Sequence, residues 1–386
     1  LNPRLTESER RVLCERSGAR LLAAVDASGE LAVEATFPPG APERELAAIA
    51  FTSGTTGVPK GVEITHASLL WSAMAVAKTR GDALDSVAAV VSPLCHLPVF
   101  VSHYVARLVS GGTVVLGQFD PDRLVASLAE EGITDLPLVP AMVAPLLERD
   151  VPAGVRLRKV SVGSALTPME VKEALAARFG GAEIVEAYGQ TETTDGVTMT
   201  VGREALERPG TVGRPHATLA LGVLGRSGDL VPPGSDGELV FRGPTVMRGY
   251  HGDPAATAAA FHGAWLRTGD LGRIDEDGYV YVTGRLKEIV ITGGENVSPA
   301  EVEAVLARHP AVAEVAVFGL PDPRWGERIA AAIVARAPVT ADALQEHAAR
   351  SLARFKLPRT IVFVDALPKT SAGKVKRAEL RDRFAK

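Results

Sequence analysis

Along this chain the spacing of apolar positions changes from section to section. From residue 46 to 187, short apolar runs (47–52, 87–92, 113–116, 134–139, 159–162 and 183–187) alternate with stretches of helical spacing (67–78, 121–131, 141–148 and 168–179). Strand-sized runs separated by helix-sized stretches predict βα units and a largely parallel sheet. From 210 to 282, Gly, Pro and Asp punctuate short β runs such as 236–242 and 279–283, which predicts a smaller β-rich subdomain. After Gly284–Arg285 the pattern reads as strand 289–292, helix 299–307, strands 312–318 and 329–335, helix 341–352 and strand 360–364, a compact α+β domain. Ahead of the alternation, Thr6-x-x-Glu9 reads as a capping box opening a helix that Gly18 stops; 19–25 reads as a strand and 37–42 as a surface linker. The expected fold is therefore α/β. A large N-terminal domain of parallel βα units spans 1–284, with its β-rich subdomain at about 210–284, and a small α+β C-terminal domain spans 285–386.

Composition narrows the function classes. The 386 residues carry 42 Lys and Arg against 46 Asp and Glu, a formal net charge of −4 with no basic block, so no nucleic-acid partner is expected. The two cysteines, Cys14 and Cys95, lie far apart without metal-ligand spacing, so neither a zinc site nor a disulfide framework is expected, and a reduced, cytoplasmic compartment is the default. The longest apolar stretches, such as 87–91 and 329–335, are strand-sized, so no membrane span is expected. The chain opens on a polar, charged segment unlike a signal peptide, and on Leu1 rather than Met, so it is expected to lack part of a natural N-terminus or to be a short form.

The strongest chemical signal is Phe51-Thr-Ser-Gly-Thr-Thr-Gly-Val-Pro-Lys-Gly61, between a predicted strand and a helix beginning near His66. Thr52, Ser53, Thr55 and Thr56 supply hydroxyl donors. Gly54 and Gly57 let backbone N–H groups approach an anion, and Lys60 adds a point charge, which together make a phosphate cradle. The Gly-Lys-Ser/Thr ending of a Walker A loop is absent.

This loop resembles the phosphate loop of the adenylate-forming superfamily, which holds acyl- and aryl-CoA synthetases, peptide-synthetase adenylation domains and luciferases. The remaining family motifs follow in order and the resemblance covers essentially the whole chain. Tyr188-Gly189-Gln-Thr191-Glu192 resembles the motif whose aromatic ring stacks on adenine, whose threonine touches the α-phosphate and whose glutamate holds Mg²⁺. Gly163-Ser164-Ala165 resembles the segment lying along the adenine. Trp265-Leu-Arg-Thr-Gly-Asp270 resembles the segment whose aspartate clamps the ribose hydroxyls. Gly284-Arg285-Leu-Lys287 resembles the hinge, with Arg285 on the ribose and Lys287 the pivot of a mobile C-terminal lid. Leu367-Pro-Lys-Thr-Ser-Ala-Gly-Lys374 resembles the loop of the catalytic lysine. Lys369 competes for that role, and the Gly-Lys pair favours Lys374.

The resemblance implies ATP-dependent activation of a small carboxylic acid to acyl-AMP, followed by transfer to CoA, with ATP, Mg²⁺ and CoA as cofactors. Lys60, Lys374 and Mg²⁺ at Glu192 would offset the charge gathered as carboxylate attacks the α-phosphorus. Thr292-Gly293-Gly294 resembles the wall of the pantetheine path. Trp325 and Phe355 match aromatic positions that pack on the CoA adenine, with simple packing the alternative for Trp325. Leu357 departs from a position where a basic residue can sit, which Arg354, Lys356 or Arg359 would replace. His96, in Pro93-Leu-Cys-His-Leu-Pro98, resembles the gate of the acyl pocket, with core packing its alternative. No Asp or Glu occurs from Ser92 to Tyr104, which argues against an α-amino acid. A ligase loading an acyl carrier protein is the alternative enzyme, and a non-catalytic nucleotide-binding relative the alternative class. Against the latter, Lys60, Glu192, Asp270, Arg285 and Lys374 are all present.

Overall fold

A computed structural model of the chain describes residues 24–25, 31–32, 46–52, 59–94, 96–163, 167–293, 295–369 and 375–385. The expected N-terminal helix, most of the strand at 19–25, the 37–42 linker, both cysteines, Ser53 to Gly57, Ser164, Ala165, Gly294 and Lys374 lie outside the described residues. The chain divides into two compact units. One is Leu1–Gly222 with Val240–Thr268 and Ile274–Tyr281. The other is Val223–Leu239 with Gly269–Arg273 and Val282–Lys386, so it includes two segments of the predicted β-rich stretch.

In the first unit, β1 (Ala24–Val25) pairs antiparallel with β2 (Leu31–Ala32). β3 (Leu46–Thr52) and β4 (Lys60–Thr65) form an antiparallel hairpin in which Thr52 faces Lys60. Helix α1 (His66–Arg80) then starts on a reciprocal capping box between Thr65 and Ser68 and ends at Gly81, whose φ of 71° suits a left-handed cap. The main sheet follows with β5 (Val87–Val90), β6 (Thr113–Leu116), β7 (Asp135–Leu138), β8 (Lys159–Val162), β9 (Glu183–Gly189), β10 (Gly196–Val201) and β11 (Arg214–Pro215), in the order β11-β10-β9-β8-β7-β5-β6. Its members from β5 to β9 are parallel, as the βα alternation predicts, and β10 and β11 add antiparallel. The run at 46–52 departs from the expectation. It belongs to a separate three-stranded antiparallel sheet with β4 and β14 (Gly249–Tyr250), in which Val62 and Ile64 of β4 alternate inward.

Helices α2 (97–109), α3 (Pro121–Glu130), α4 (Pro140–Leu147), α5 (Met169–Arg178) and α6 (Arg203–Glu207) accompany this sheet. Neighbouring residues of β9 face opposite ways. Ile184 joins the cluster of Leu124, Leu128, Leu146, Val160 and Leu175, while Val185 joins that of Val62, Ile64, Val76, Val101 and Met199. A helix at 97–109 was not expected. Its residues Val99–Val105 wind as a π-helix, whose wider turn breaks the 3.6-residue period. Beneath α1 and α2 lies a buried ionic cluster. Arg80 binds Asp82 bidentately (2.8 and 2.6 Å) and the Ser102 carbonyl, and Arg107 stands 3.1 Å from Asp82 and 3.4 Å from Asp135. His103, 3.1 Å from Arg80, is held well below the ordinary histidine range by burial and by the two guanidinium groups.

A five-stranded sheet contains β12 (Ala220–Leu224), β13 (Gly237–Arg242), β15 (Phe261–His262), β16 (Trp265–Ile274) and β17 (Val280–Arg285), and α7 (Pro254–Ala260) precedes β15. In the second unit, β18 (Val290–Thr292), β19 (Glu295–Val297), β20 (Val312–Asp322), β21 (Gly326–Ala335) and β22 (Thr360–Phe363) form a sheet ordered β19-β18-β21-β20, with β22 parallel to β21. Helices α8 (Pro299–Leu306) and α9 (Ala341–Ala349) bury Val302, Leu306 and Leu344 against Val317, Ile329 and Ile333. On the other face, α10 (Arg377–Phe384) places Leu380 against Ala316, Phe318 and Ala330. No helix among the described residues is long and apolar enough to cross a membrane.

Candidate active site

Lys60 and Glu192 meet at one side chain that the sequence reading did not single out. Tyr250, on the strand paired with β4, donates its hydroxyl to Glu192 Oε1 at 2.9 Å, and Lys60 Nζ stands 4.6 Å from the centre of its ring. The phosphate loop thus joins two antiparallel strands, with Thr52 and Lys60 at its two ends, and β4 then leads into α1, which begins at His66 as expected.

The motif Tyr188-Gly189-Gln-Thr191-Glu192 runs off the end of β9 into a single 3₁₀ turn, Thr191–Thr193. Gln190 and Thr193 cap each other across it. A Cβ at Gly189 would lie 2.1 Å from the Asp195 carbonyl oxygen, so only glycine lets the chain double back here. Thr194 has φ 69°, the one positive φ of a non-glycine residue among those described, and its buried hydroxyl is tied to the Thr245 carbonyl at 2.6 Å. A β-branched residue held there stores about 1–3 kcal/mol of strain that its surroundings must offset. Tyr188 is half-buried with its ring centre 6.2 Å from that of Phe241, the two rings tilted by 40°. Asp195, hydrogen-bonded by Ser102 of α2, is pushed up to about 7, chiefly by burial.

Gly163 follows β8 and donates to the Leu138 carbonyl at 3.3 Å. The far end of this segment is anchored on β9: Thr167 N–H donates to Glu186 Oε1 at 2.9 Å, and Glu186 is paired with the buried Lys172 of α5. His96, half-buried, stands at the start of α2 and accepts from Phe100 N–H through its carbonyl at 3.0 Å; Phe100 and Tyr104 stack 5.8 Å apart one turn on.

In the second unit, buried Asp270 on β16 forms an ion pair with Arg285 Nε at 2.7 Å. Lys287 sits in a single 3₁₀ turn, Leu286–Glu288, between β17 and β18. Gly293 has φ 61°, donates to the Trp325 carbonyl at 2.8 Å, and would place a Cβ 2.8 Å from the Trp325 ring, so this turn too requires glycine. Arg359 and Arg324 stand 4.6 and 4.9 Å from the centre of the half-buried Trp325 ring. Phe355 is exposed with Lys356 beside it, and Lys356 is engaged by Glu301 at 2.6 and 2.8 Å. Leu357 packs on the domain core, which explains why a basic residue is absent there.

Among the described residues no three His, Cys, Asp or Glu side chains gather as a metal cage. A single carboxylate, Glu192, suits Mg²⁺ that takes its other ligands from phosphates and water.

Residues 1–251 match the family model for AMP-binding enzymes and residues 301–374 that for the AMP-binding enzyme C-terminal domain. The sulfoacetate–CoA ligase of Cupriavidus necator is 41% identical over 375 residues, covering 93% of this chain and 72% of the relative. The feruloyl-CoA synthase of an Amycolatopsis species is 37% identical over 369 residues, covering 92% and 74%. The solved structure of the Bacillus subtilis o-succinylbenzoate coenzyme A synthetase with ATP and magnesium superposes with a TM-score of 0.85 at 30% identity, covering 100% of this chain and 83% of that one. The chain is therefore a member of the AMP-binding enzyme family, the adenylate-forming superfamily that its motifs resemble.

Proposed function

We propose that this chain carries out both half-reactions of an AMP-forming acid–thiol ligase, with distinct residues serving each. It activates a carboxylic acid with ATP as the acyl-AMP and passes the acyl group to CoA. The observation that carries the reading is the meeting of Lys60 and Glu192 on one tyrosine, which joins a cation from β4 and a hard carboxylate from the 3₁₀ turn after β9 at the foot of the phosphate loop.

A carboxylate acylates poorly because its leaving group would be oxide. Its oxygen attacks the α-phosphorus, pyrophosphate leaves, and a mixed anhydride results. No general base is needed, because the acid is already ionised at neutral pH. Negative charge gathers between the reactants in the transition state, and Lys60 and Lys374 offset it. Bound Mg²⁺ would add to that neutralisation, with Glu192 its protein ligand. Thr52, Ser53, Gly54, Thr55, Thr56 and Gly57 hold the phosphates, and Thr191 touches the α-phosphate. Tyr188, Gly189 and the segment Gly163, Ser164, Ala165 hold the adenine, and Asp270 and Arg285 the ribose. Residues 1–284 act as the adenylation core and 285–386 as a lid that pivots at Lys287 and withdraws Lys374 before the thiol enters. Gly293 and Gly294 line its path, and Trp325 and Phe355 take the CoA adenine. Arg359 is the cation that replaces a basic residue at 357, since Lys356 is committed to Glu301 while Arg359 stands over Trp325.

The acid carries no α-ammonium group, because the segment around His96 offers no carboxylate to receive one. A carrier protein presents the same pantetheine thiol and is the second acceptor to test. A cytoplasmic setting belongs to the same reading and rests on the two isolated cysteines. The deciding experiment is ³²P-pyrophosphate exchange over a panel of fatty, aryl and sulfonated or dicarboxylic acids, followed by product analysis with CoA or a carrier protein. Background exchange across the panel overturns the enzyme reading. In Lys374→Ala, exchange is lost while synthetic acyl-AMP and CoA still give thioester; equal loss of both overturns the rotating lid.

A further inference from the structure

The segment 245–251 touches both halves of the phosphate site within the first unit. On one side the Thr245 carbonyl accepts from the strained Thr194, and Met247 N–H donates to the Glu192 carbonyl at 2.8 Å. On the other, Arg248 N–H donates to the Glu63 carbonyl at 3.1 Å, His251 N–H donates to the Gly61 carbonyl at 2.7 Å, and Tyr250 pairs with Val62. The tyrosine backbone is held in turn by Thr257, whose hydroxyl accepts from Tyr250 N–H at 2.8 Å. The side chain therefore starts from a fixed strand and ends on the carboxylate, with the lysine ammonium over its ring.

From this geometry we propose that Tyr250 is a positioning residue for the adenylation half-reaction: it orients the Glu192 carboxylate through its hydroxyl and fixes the Lys60 ammonium over its ring. The proposal rests on the functional reading above. A carboxylate with one oxygen held by a phenol keeps the other free for a cation and cannot rotate away. An ammonium over an aromatic face is attracted by the ring quadrupole while its hydrogens stay available to phosphate.

Tyr250→Phe keeps the ring under Lys60 and deletes only the hydroxyl on Glu192; Tyr250→Leu deletes both. A hydrogen bond to a charged group is worth about 1.5–3 kcal/mol, or roughly 10- to 150-fold. Tyr250→Phe should slow pyrophosphate exchange by that factor and raise the Mg²⁺ concentration for half-maximal rate, and Tyr250→Leu should lose more. Both should convert supplied acyl-AMP and CoA to thioester within about 2-fold of wild type, which damage to the fold would not permit. Calorimetric binding of Mg·ATP should weaken in Tyr250→Phe relative to wild type. Absence of exchange in the wild type sinks the functional reading, and the binding comparison still judges the tyrosine. Wild-type exchange, Mg²⁺ response and Mg·ATP binding in Tyr250→Phe overturn the proposal, as does an equal loss of both half-reactions.

Discussion

Lys172 and Glu186 form a buried ion pair beside Thr167, with side chains 1% and 3% exposed. Glu186 also accepts the Thr167 N–H, and Lys172 reaches the Ala205 carbonyl at 3.4 Å. Lys172→Met fills a similar volume and leaves the carboxylate without its cation. Removing one partner of a buried pair costs about 3–5 kcal/mol, because desolvation of the survivor is no longer offset. Lys172→Met with Glu186→Gln removes the orphaned charge and keeps an amide oxygen for Thr167. Its cost should fall by about 2 kcal/mol or more from that of the single variant, a coupling expected of directly paired groups. Urea unfolding reads this through tryptophan fluorescence. A Trp325→Phe background leaves Trp71 and Trp265, both in the first unit, as reporters. With a slope of about 3 kcal/mol/M, the Lys172→Met midpoint should fall by roughly 1 M or more, with the slope unchanged. A shift worth less than about 1 kcal/mol, or a double variant no more stable than the single, would refute the reasoning.

Four further outcomes are expected. Asp195 is raised from 3.8 to about 7, so the stability it contributes is fully present below pH 3.8 and is lost as pH rises through 7; the melting temperature of wild type minus that of Asp195→Asn should decline from pH 4 to 7, and a flat difference would contradict the burial argument. Gly189→Ala forces a Cβ onto the Asp195 carbonyl and should cost about 1–3 kcal/mol together with most pyrophosphate exchange, read by thermal melting and isotope exchange. Gly293→Ala, which drives a Cβ into the Trp325 ring at a left-handed φ, should slow thioester formation from acyl-AMP while sparing exchange. Arg359→Ala should raise KM for CoA roughly tenfold and leave that for ATP unchanged, because one charged contact is lost at the nucleotide end of CoA.

The chain's sequence determined by itself whatever depends on neighbours in sequence. The alternation of apolar runs and helical stretches marked the parallel strands from 87 to 187, with ends that fell within a few residues, because strands inside a helix-covered parallel sheet read as short, mostly apolar runs. The motifs around Lys60, Tyr188 to Glu192, Asp270 and Arg285 marked the family from the sequence alone, because each is a short run of characteristic residues. What joins those motifs was not legible. Tertiary structure alone decided that the strand 46–52 leaves the parallel sheet to pair with Lys60–Thr65, since hydrogen-bond partners are chosen across the fold and not along the chain. It alone revealed the π-wound helix beside His96, the ionic cluster of Arg80, Asp82, Arg107 and Asp135, and the buried pair of Lys172 with Glu186, where burial gives meaning to charges that read as ordinary surface residues. Tyr250 is the clearest case: Gly-Tyr after a turn carries no chemistry of its own, and its place between Lys60 and Glu192 exists only once two distant strands are laid side by side.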